Sequence, residues 1–427
     1  MKTIAFVPAK YNSNRIKNKN LQIIDGEYLF KKKLIQLIQC REIDEVWLDS
    51  ESKYLHELTK DLPIKHFYRP KILASNKTDG HQMFEYQSQI TRGDIIVQAL
   101  CTSPFLESKT IDRALKLLKK SNKKSLIAVQ KNKFYTWEKN KPSYGKKIPN
   151  SVDLKDTIIE TMSFYAVKTF GKKVKKRYTK NPILFELNPL ESIDINNNLD
   201  LDLANKISAG IRLKNYQNLK SLSKIISSPL ISDICKDLKI KHFLSSNIKS
   251  LNGGKFLGFA KTLKLKSIKS KKEWKGIYKA LGTYKFIQPG DVIVVSNKTD
   301  KAYFGELNAS YAYRSGAIGV VVDGFTRDVE AVTKIGLPVF AHGHKADDIK
   351  FEGTFDEMNM PININDIIIK NNDLIFADQD GVVCVPQEKW SEVLKKLKTN
   401  LKKEMMIKLE SSFGLSPELA LKKIGLF

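Results

Sequence analysis

The chain has 427 residues, 42% of them apolar, and a formal charge of +27. That length is more than one hydrophobic core serves and points to two or three domains. The lysines are spread along the whole chain among abundant Asn and Ile, with no recognised module or basic aromatic platform, which argues against nucleic acid as the main partner. Four cysteines (Cys40, Cys101, Cys235, Cys384) stand far apart without a CxxC pair or nearby His, so neither a zinc site nor a disulfide framework is expected. The N-terminus lacks the apolar core of a signal peptide, and no apolar run approaches the ~20 residues of a membrane span. A soluble, cytoplasmic protein with no membrane partner is expected.

In chain order, Ile4 to Val7 reads as a short strand entering the loop FVPAKYNSNRIKNKNL, residues 6–21. There Lys10, Arg15, Lys17 and Lys19 stand among Asn12, Ser13, Asn14, Asn18 and Asn20, a mixture of charge and neutral donors suited to polyphosphate. The loop has no glycine and no P-loop pattern, and an ordinary basic strand-to-helix loop has the same look. A helix is predicted over Tyr28–Cys40, with Leu29, Phe30, Leu34, Leu37 and Ile38 at helical spacing. A strand at Val46–Asp49, a helix over Lys53–Leu62, a strand at His66–Arg69, a helix over His81–Ile90 and a strand at Asp94–Leu100 follow. This alternation argues for a parallel, doubly wound sheet. Ligands bind such sheets at the carboxyl ends of the strands, where the basic loop and Thr102-Ser103-Pro104 would lie. Further on, Glu191 to Asp200 concentrates oxygen donors. In an extended strand Asp194 and Asn196 project to one face, as two ligands of a Mg²⁺ bridging nucleotide phosphates would. Asp200 reads as a cap for the following helix.

These pieces, in this order, resemble the cytidylyltransferases that activate sialic acid and 3-deoxy-manno-octulosonic acid with CTP. Pro8-Ala9-Lys10, Ser13, Arg15 and Lys19-Asn20 match the family's PAR-x-x-S-x-R-x-x-x-K-N loop; Lys10 replaces the usual Arg, keeping the charge and losing the bidentate fork. Arg69-Pro70 with Leu73-Ala74, and DIIVQALCTSPF from Asp94, match two further family segments. Leu100 stands where many relatives carry a Gln directed at nucleotide or sugar, a contact left to Gln98, and Asn196 replaces the second Asp of D-I-D-x-x-x-D. The resemblance covers residues 1–213 and implies a doubly wound, Rossmann-like nucleotidyltransferase domain. It implies CTP contacts from Pro8, Ala9, Lys10, Ser13, Arg15, Lys19, Asn20, Thr102 and Ser103, catalytic roles for Lys19 and Arg15, and Mg²⁺ at Asp194 and Asn196. The implied reaction is attack of a sugar acid's anomeric hydroxyl on the α-phosphorus of CTP with release of pyrophosphate. No strong general base stands out.

Lys214–Ser227, a mixture of Lys, Ser, Asn and Leu, reads as the connection between domains. A short amphipathic helix over Leu230–Leu238 and a strand within Gly253–Leu265 precede GDVIVVSN, AYFGELNASYAYRSG, AIGVVVDGFTRDVE and LPVFAHG, read as strand, helix, strand and strand. Gly324-Phe325-Thr326-Arg327-Asp328 puts a cation beside a carboxylate at one strand terminus; an Asp near a helix dipole gives the same pattern. Gln387–Glu410 is predicted helical, with Trp390, Val393, Leu394, Leu397 and Leu401 on a stripe that needs the core or a neighbouring subunit as its partner. Ser411–Phe427 adds a second short helix.

From Ser228 to Lys396, closing with Asp373, Asp378-Gln379-Asp380-Gly381-Val382-Val383 and Pro386, this array is similar to the family of RraA (regulator of ribonuclease E activity) and of the class II pyruvate aldolases that cleave 4-hydroxy-4-methyl-2-oxoglutarate. The similarity implies an α/β domain of the swivelling β/β/α type and a homo-oligomer, trimeric or hexameric. It implies Mg²⁺ at Asp328, a 2-oxo acid's carboxylate cradled by amides around Gly305-Glu306-Leu307-Asn308, Arg327 on the keto or enolate oxygen, and Glu306 orienting metal-bound water. Asp323 and Asp380 are expected to satisfy turns. Members that only bind proteins lose the acid of the Arg-Asp pair, and this chain keeps it. The expected organisation is a cytidylyltransferase domain (1–213), a linker (214–227), an RraA-like domain (228–396) and a helical extension (397–427). The expected function is bifunctional: CTP-dependent activation of a sugar acid, fused to a Mg²⁺-dependent aldolase-like activity on pyruvate or a related 2-oxo acid. The alternative makes the second half a non-catalytic assembly or regulatory module.

Overall fold

The structure, a computed structural model, describes residues 1–425 apart from 14 and 76, so Asn14 of the basic loop lies outside the described residues. The chain divides into two compact units, Met1–Ile207 and Ser208–Phe427.

The first unit is built from β1 (Thr3–Pro8), α1 (Leu29–Ile38), β2 (Glu45–Ser50), β3 (Lys65–Tyr68), α2 (Gly80–Ile90), β4 (Ile95–Ala99), α3 (Ser108–Lys120), β5 (Ser125–Asn132), β6 (Thr157–Lys168), β7 (Ile183–Glu186) and the start of α4 (Asn198–Ser223). β1 and β4 are buried nearly throughout. Leu29, Phe30, Leu34 and Leu37 of α1 are buried at the spacing of a single helical stripe. The sheet order is β7-β5-β6-β4-β1-β2-β3. It is not wholly parallel: β6 runs antiparallel to both β4 and β5. Residues 133–156, the connection from β5 to β6, contain no α-helix, so β6 follows β5 without the helical crossover that usually brings a successive strand back parallel. The helix expected over Lys53–Leu62 spans only Lys53–Glu57.

The second unit holds α5 (Ser228–Asp237), β8 (Lys249–Ser250), β9 (Phe256–Ser267), β10 (Asp291–Ser296), β11 (Ala302–Phe304), α6 (Glu306–Arg314), β12 (Gly319–Asp323), β13 (Phe325–Thr326), α7 (Val329–Ile335), β14 (Val339–Ala341), β15 (Gly343–His344), β16 (Gly353–Met358), β17 (Leu374–Asp378), β18 (Gly381–Val385), α8 (Trp390–Ser412) and α9 (Pro417–Ile424). The main sheet runs β8-β14-β12-β10-β9-β17-β18, and the long β9 also pairs with β16. A small parallel sheet, β11-β13-β15, is built from the residues that follow the main strands β10, β12 and β14. Val393 and Leu397 of α8 are fully buried with Ile231 and Ile234 of α5, so the predicted stripe finds its partner in the unit's own core. Beyond it Met405, Leu409 and Phe413 are exposed, Phe413 by 84%.

The boundary expected at 213/214 falls inside α4, so residues 214–223 are helix rather than connection. Arg212, on the same helix, belongs to the second unit. Its guanidinium bonds the fully buried Asp291 carboxylate and lies 4.1 Å over the Phe259 ring. Burial raises the Asp291 carboxyl above its ordinary pKa, and Arg212 opposes that shift. Among the described residues no helix is long and apolar enough to cross a membrane. All four cysteines are free and buried.

Candidate functional sites

In the first unit the basic loop leaves β1 at its carboxyl end. Ala9 N donates to Asp49 O at 2.9 Å, Cys101 Sγ approaches Pro8 O at 3.8 Å, and Asn20 Nδ2 donates to Lys10 O at 2.9 Å. The first two tie the start of the loop to neighbouring segments of the sheet, and the third closes the loop on itself. Lys19 Nζ donates to Ile195 O at 3.1 Å, and Arg15 Nη1 donates to Asn196 Oδ1 at 2.9 Å across 181 residues of sequence. Asn196 Nδ2 in turn donates to Asp194 Oδ2 at 2.6 Å. Only one orientation of this carboxamide serves both neighbours, because a guanidinium can only donate and a carboxylate can only accept. Burial lowers the Lys19 pKa below its ordinary value, and the Asp194 charge opposes that shift.

The segment around Asp194 is not a strand, contrary to expectation. It is an extended loop tied to the sheet by Ile195 N donating to Thr102 O at 2.9 Å. Its far end is a reciprocal helix cap. Asn197 Oδ1 accepts from Leu199 N and Asp200 N, while Asp200 Oδ2 accepts from Asn196 N and Asn197 N. Asp200 is thus occupied in capping. Asp194 Oδ1 is buried and has no hydrogen-bond partner among the described residues. An orphaned carboxylate oxygen beside a neutral carboxamide suits a hard divalent cation such as Mg²⁺, which keeps most of its ligands as water and phosphate. Asn196 Oδ1, by contrast, is already taken by Arg15.

Ser103 is fully buried: its carbonyl accepts from Lys33 Nζ at 2.7 Å, and Gln36 Nε2 donates to Pro104 O at 2.7 Å. It supports the Thr102–Pro104 turn from beneath. Burial pulls the Lys33 amine down to about 7. Gln98 does not stand in for Leu100, since it is buried and donates to Gln87 Oε1 at 3.0 Å. Gln87 and Arg69 both donate to the carboxylate of the buried Asp49. Arg69 of the expected Arg-Pro segment is therefore part of an internal network. Ser13 is half-buried and Lys10 partly so.

In the second unit β11 delivers Gly305 to the start of α6, and β13 delivers Arg327-Asp328 beside it. Glu306 N donates to Asp328 Oδ2 at 3.0 Å, so the first amide of α6 is engaged by the acid of the pair. Arg327 Nε lies 3.7 Å from Asp328 Oδ2, and its Nη1 pairs with Asp348 Oδ2 at 3.0 Å. Asp348 sits on a loop outside any recognised motif; the Asp347-Asp348 doublet was its only signal in the sequence. Asp328 stands at the N-terminal boundary of α7 in a left-handed conformation, φ 58°, and its side chain makes no capping bond to that helix. These residues edge a cleft of about 250 Å³ lined also by Trp274, Tyr278 and Tyr303. Lys350 Nζ lies 5.1 Å from the Trp274 ring. Leu307 is exposed, whereas Asn308 turns inward, accepting from Tyr284 OH at 3.1 Å and donating to Tyr303 O at 2.9 Å. Asp323 pairs with His342 Nε2 at 3.2 Å rather than satisfying a turn. Among the described residues no three His, Cys, Asp or Glu side chains gather as a ready metal cage. A Mg²⁺ at Asp328 would rely on water and substrate for its other ligands, which that ion's chemistry permits.

The chain is therefore an α/β protein in which a cationic loop faces an acid segment in the first unit and an Arg-Asp pair stands beside a helix start in the second. By sequence the chain belongs to the Aldolase/RraA family, whose pattern matches residues 228–384. Residues 4–189 match the Cytidylyltransferase family. A Halalkalibacterium halodurans protein named as a candidate 4-hydroxy-4-methyl-2-oxoglutarate aldolase is 34% identical over 158 residues, 36% of this chain and 71% of that one. The CMP-N,N'-diacetyllegionaminic acid synthase of Legionella pneumophila is 23% identical over 172 residues, 39% of this chain and 71% of the relative. A Helicobacter pylori protein named pseudaminic acid cytidylyltransferase and UDP-2,4-diacetamido-2,4,6-trideoxy-beta-L-altropyranose hydrolase is 24% identical over 208 residues, 46% of this chain; the chain spans 40% of that protein's length. A cytidylyltransferase domain followed by an RraA/aldolase-like domain is thus the organisation of the chain.

Proposed function

We propose that the first unit transfers CMP from CTP to a sugar acid of the sialic-acid or octulosonate type. The acceptor's hydroxyl oxygen attacks the α-phosphorus, the bond to the bridging oxygen of the β-phosphate breaks, pyrophosphate leaves, and the hydroxyl proton passes to solvent. The observation that carries this reading is the convergence of Lys19 and Arg15 on the Asp194–Asn196 segment. Cations fixed in this way meet the charge that builds on the departing phosphates without reorganising. Asp194 would hold Mg²⁺, which when bound would neutralise phosphate charge. Pro8, Ala9 and Thr102, the last two tied by backbone bonds to Asp49 and Ile195, would line the nucleotide's side of the loop. The test is pyrophosphate release from CTP in the presence of N,N'-diacetyllegionaminic, pseudaminic or 3-deoxy-manno-octulosonic acid. Release that depends on one of these acids supports the reading; no release with any of them removes it.

For the second unit we infer a Mg²⁺-dependent aldolase-like activity on pyruvate or a related 2-oxo acid. Arg327 and Asp328 flank a cleft at the start of α6, where a helix N-terminus suits a carboxylate and the guanidinium suits an enolate oxygen. The other reading is a non-catalytic assembly or regulatory module. Solvent-deuterium exchange into the pyruvate methyl group separates the two.

A further inference from the structure

One guanidinium in the first unit has more donors than partners. Arg177 lies between β6 and β7 with its side chain 13% exposed, and its Cζ sits 3.9 Å from the centroid of the buried Tyr165 ring. Nε is buried and donates to nothing among the described residues. Nη2 has two long contacts, 3.5 Å to Glu160 Oε1 and 3.6 Å to Met162 Sδ. Nη1 rests against Gly80, where a Cβ would fall 2.3 Å away, so the absence of a side chain there makes room for the fork. A cation this deeply set and this weakly partnered is costly.

The surroundings are shaped around it. The pairing of β6 with β5 breaks between Glu160 and Tyr165, and Met162 within the break has φ 54°, a left-handed backbone that a side chain other than Gly or Asn rarely adopts. Such bulges re-aim side chains beside binding sites; this one brings Glu160 and Met162 to the same guanidinium. Tyr165 packs with Leu100, Met162 and Tyr178. Leu100 directly follows β4 and lies two residues before Thr102, so the cluster stands at the carboxyl edge of the sheet, where ligands of doubly wound folds bind. Glu160 also accepts from Tyr165 OH, so it keeps a partner when its long contact to Arg177 is replaced. The nearby Asp79 is engaged in capping α2 through His81 N and Gln82 N.

We propose that Arg177 binds the carboxylate of the acceptor acid, its planar fork taking both oxygens, while Leu100, Met162 and Tyr178 offer an apolar floor beneath the sugar. This assignment rests on the transferase reading of the first unit. It is tested by calorimetric titration of N,N'-diacetyllegionaminic acid, pseudaminic acid and their methyl esters into the full chain, with and without CDP, which fills the nucleotide site but cannot release pyrophosphate. Wild type should bind at least one acid. Arg177→Ala should bind it about tenfold to a hundredfold more weakly, Arg177→Lys should fall between, and both variants should retain wild-type affinity for CDP. The methyl esters, lacking the anion, should not distinguish wild type from Arg177→Ala. Equal binding of the acid by wild type and Arg177→Ala, equal discrimination against the ester, or no binding of either acid by wild type overturns the proposal. Should Arg177→Ala lose CDP as well, the Arg177→Lys titration decides by itself. An acid that binds through Arg177 yet is never coupled to CTP removes the transferase reading and leaves this assignment standing.

Discussion

A side chain on Gly305 would collide with Asp328: its Cβ would lie 2.3 Å from Asp328 Oδ2. Gly305 has φ −143°, ordinary extended backbone, so glycine is needed there for space rather than for conformation. The same Oδ2 accepts from Glu306 N, so backbone and carboxylate are fitted to each other at the mouth of the cleft.

Gly305→Ala should therefore displace the Asp328 carboxylate and disturb the site without removing any functional group. If the second unit enolises pyruvate, wild type should exchange methyl protons for deuterium in the presence of Mg²⁺. Arg327→Ala and Asp328→Ala should abolish exchange, and Gly305→Ala should slow it by about tenfold or more, the cost of a misplaced group. Proton NMR of pyruvate in deuterated buffer reads this directly. Exchange by Gly305→Ala at the wild-type rate would show that the fit between the two residues does not matter to catalysis, and no exchange by wild type would favour the non-catalytic module.

In the first unit, Lys19→Ala and Asp194→Ala should each reduce CTP-dependent pyrophosphate release by about a hundredfold or more, as expected when a preorganised charge is lost from the transition state. A coupled phosphate assay is sufficient. Unchanged turnover in both variants would mean that the charge cluster is structural.

Asn196→Asp restores the family pattern, but the carboxamide now donates to Asp194 at 2.6 Å. The substitution turns that bond into two carboxylates in contact. Without divalent cation the variant should melt at a lower temperature than wild type, and Mg²⁺ should restore more stability to it than to wild type. The Mg²⁺ concentration for half-maximal activity should also fall. Thermal unfolding with and without Mg²⁺ checks the first outcome; a variant indifferent to the ion would exclude residue 196 from the metal site.

Lys33 makes a pH-dependent contribution whose sign is fixed by its burial. Its amine is pulled from 10.5 down to about 7 in the folded chain. Between those values the unfolded chain holds a proton that the folded chain lacks, so stability owed to this group rises with pH across that window. Below about pH 7 the fold must bury the charge. Lys33→Met should gain most over wild type at the acidic end, and its advantage should shrink as the pH climbs towards 10.5. Melting temperatures of the two proteins across that range supply the test; a constant difference contradicts the argument.

Continuous apolar runs and helical stripes made β1, α1 and β4 legible in the sequence, because buried strands and half-buried helices impose those periods. The pairing of the basic loop with the Asp194 segment was legible only as the expectation that both serve the phosphates of one nucleotide. What failed depended on information that periodicity does not contain. β6 runs antiparallel after a connection that carries no α-helix, and the Asp194 loop is tied to the sheet by the bond from Ile195 N to Thr102 O, neither of which periodicity records. Gln98 turned away from the site because its strand face is met by Gln87, which is itself held by Asp49. Asp348 and Arg177 lie in stretches with no motif, and what sets them apart is the side chains that the fold brings beside them.

The position of Arg212 bears on how the two halves can be taken apart. A fragment beginning at Lys214 would contain every strand of the second sheet and yet lack the guanidinium that faces Asp291 in its interior. Removing one partner of a buried ion pair costs about 3–5 kcal/mol, a large share of what holds a domain together. Severing α4 partway would also leave a ragged helix end against Phe259, where Arg212 now lies on the ring. A dissection that keeps the whole of α4 with the second half, starting at Asn197 so that the cap is included, preserves the pair and should yield the more tractable recombinant piece.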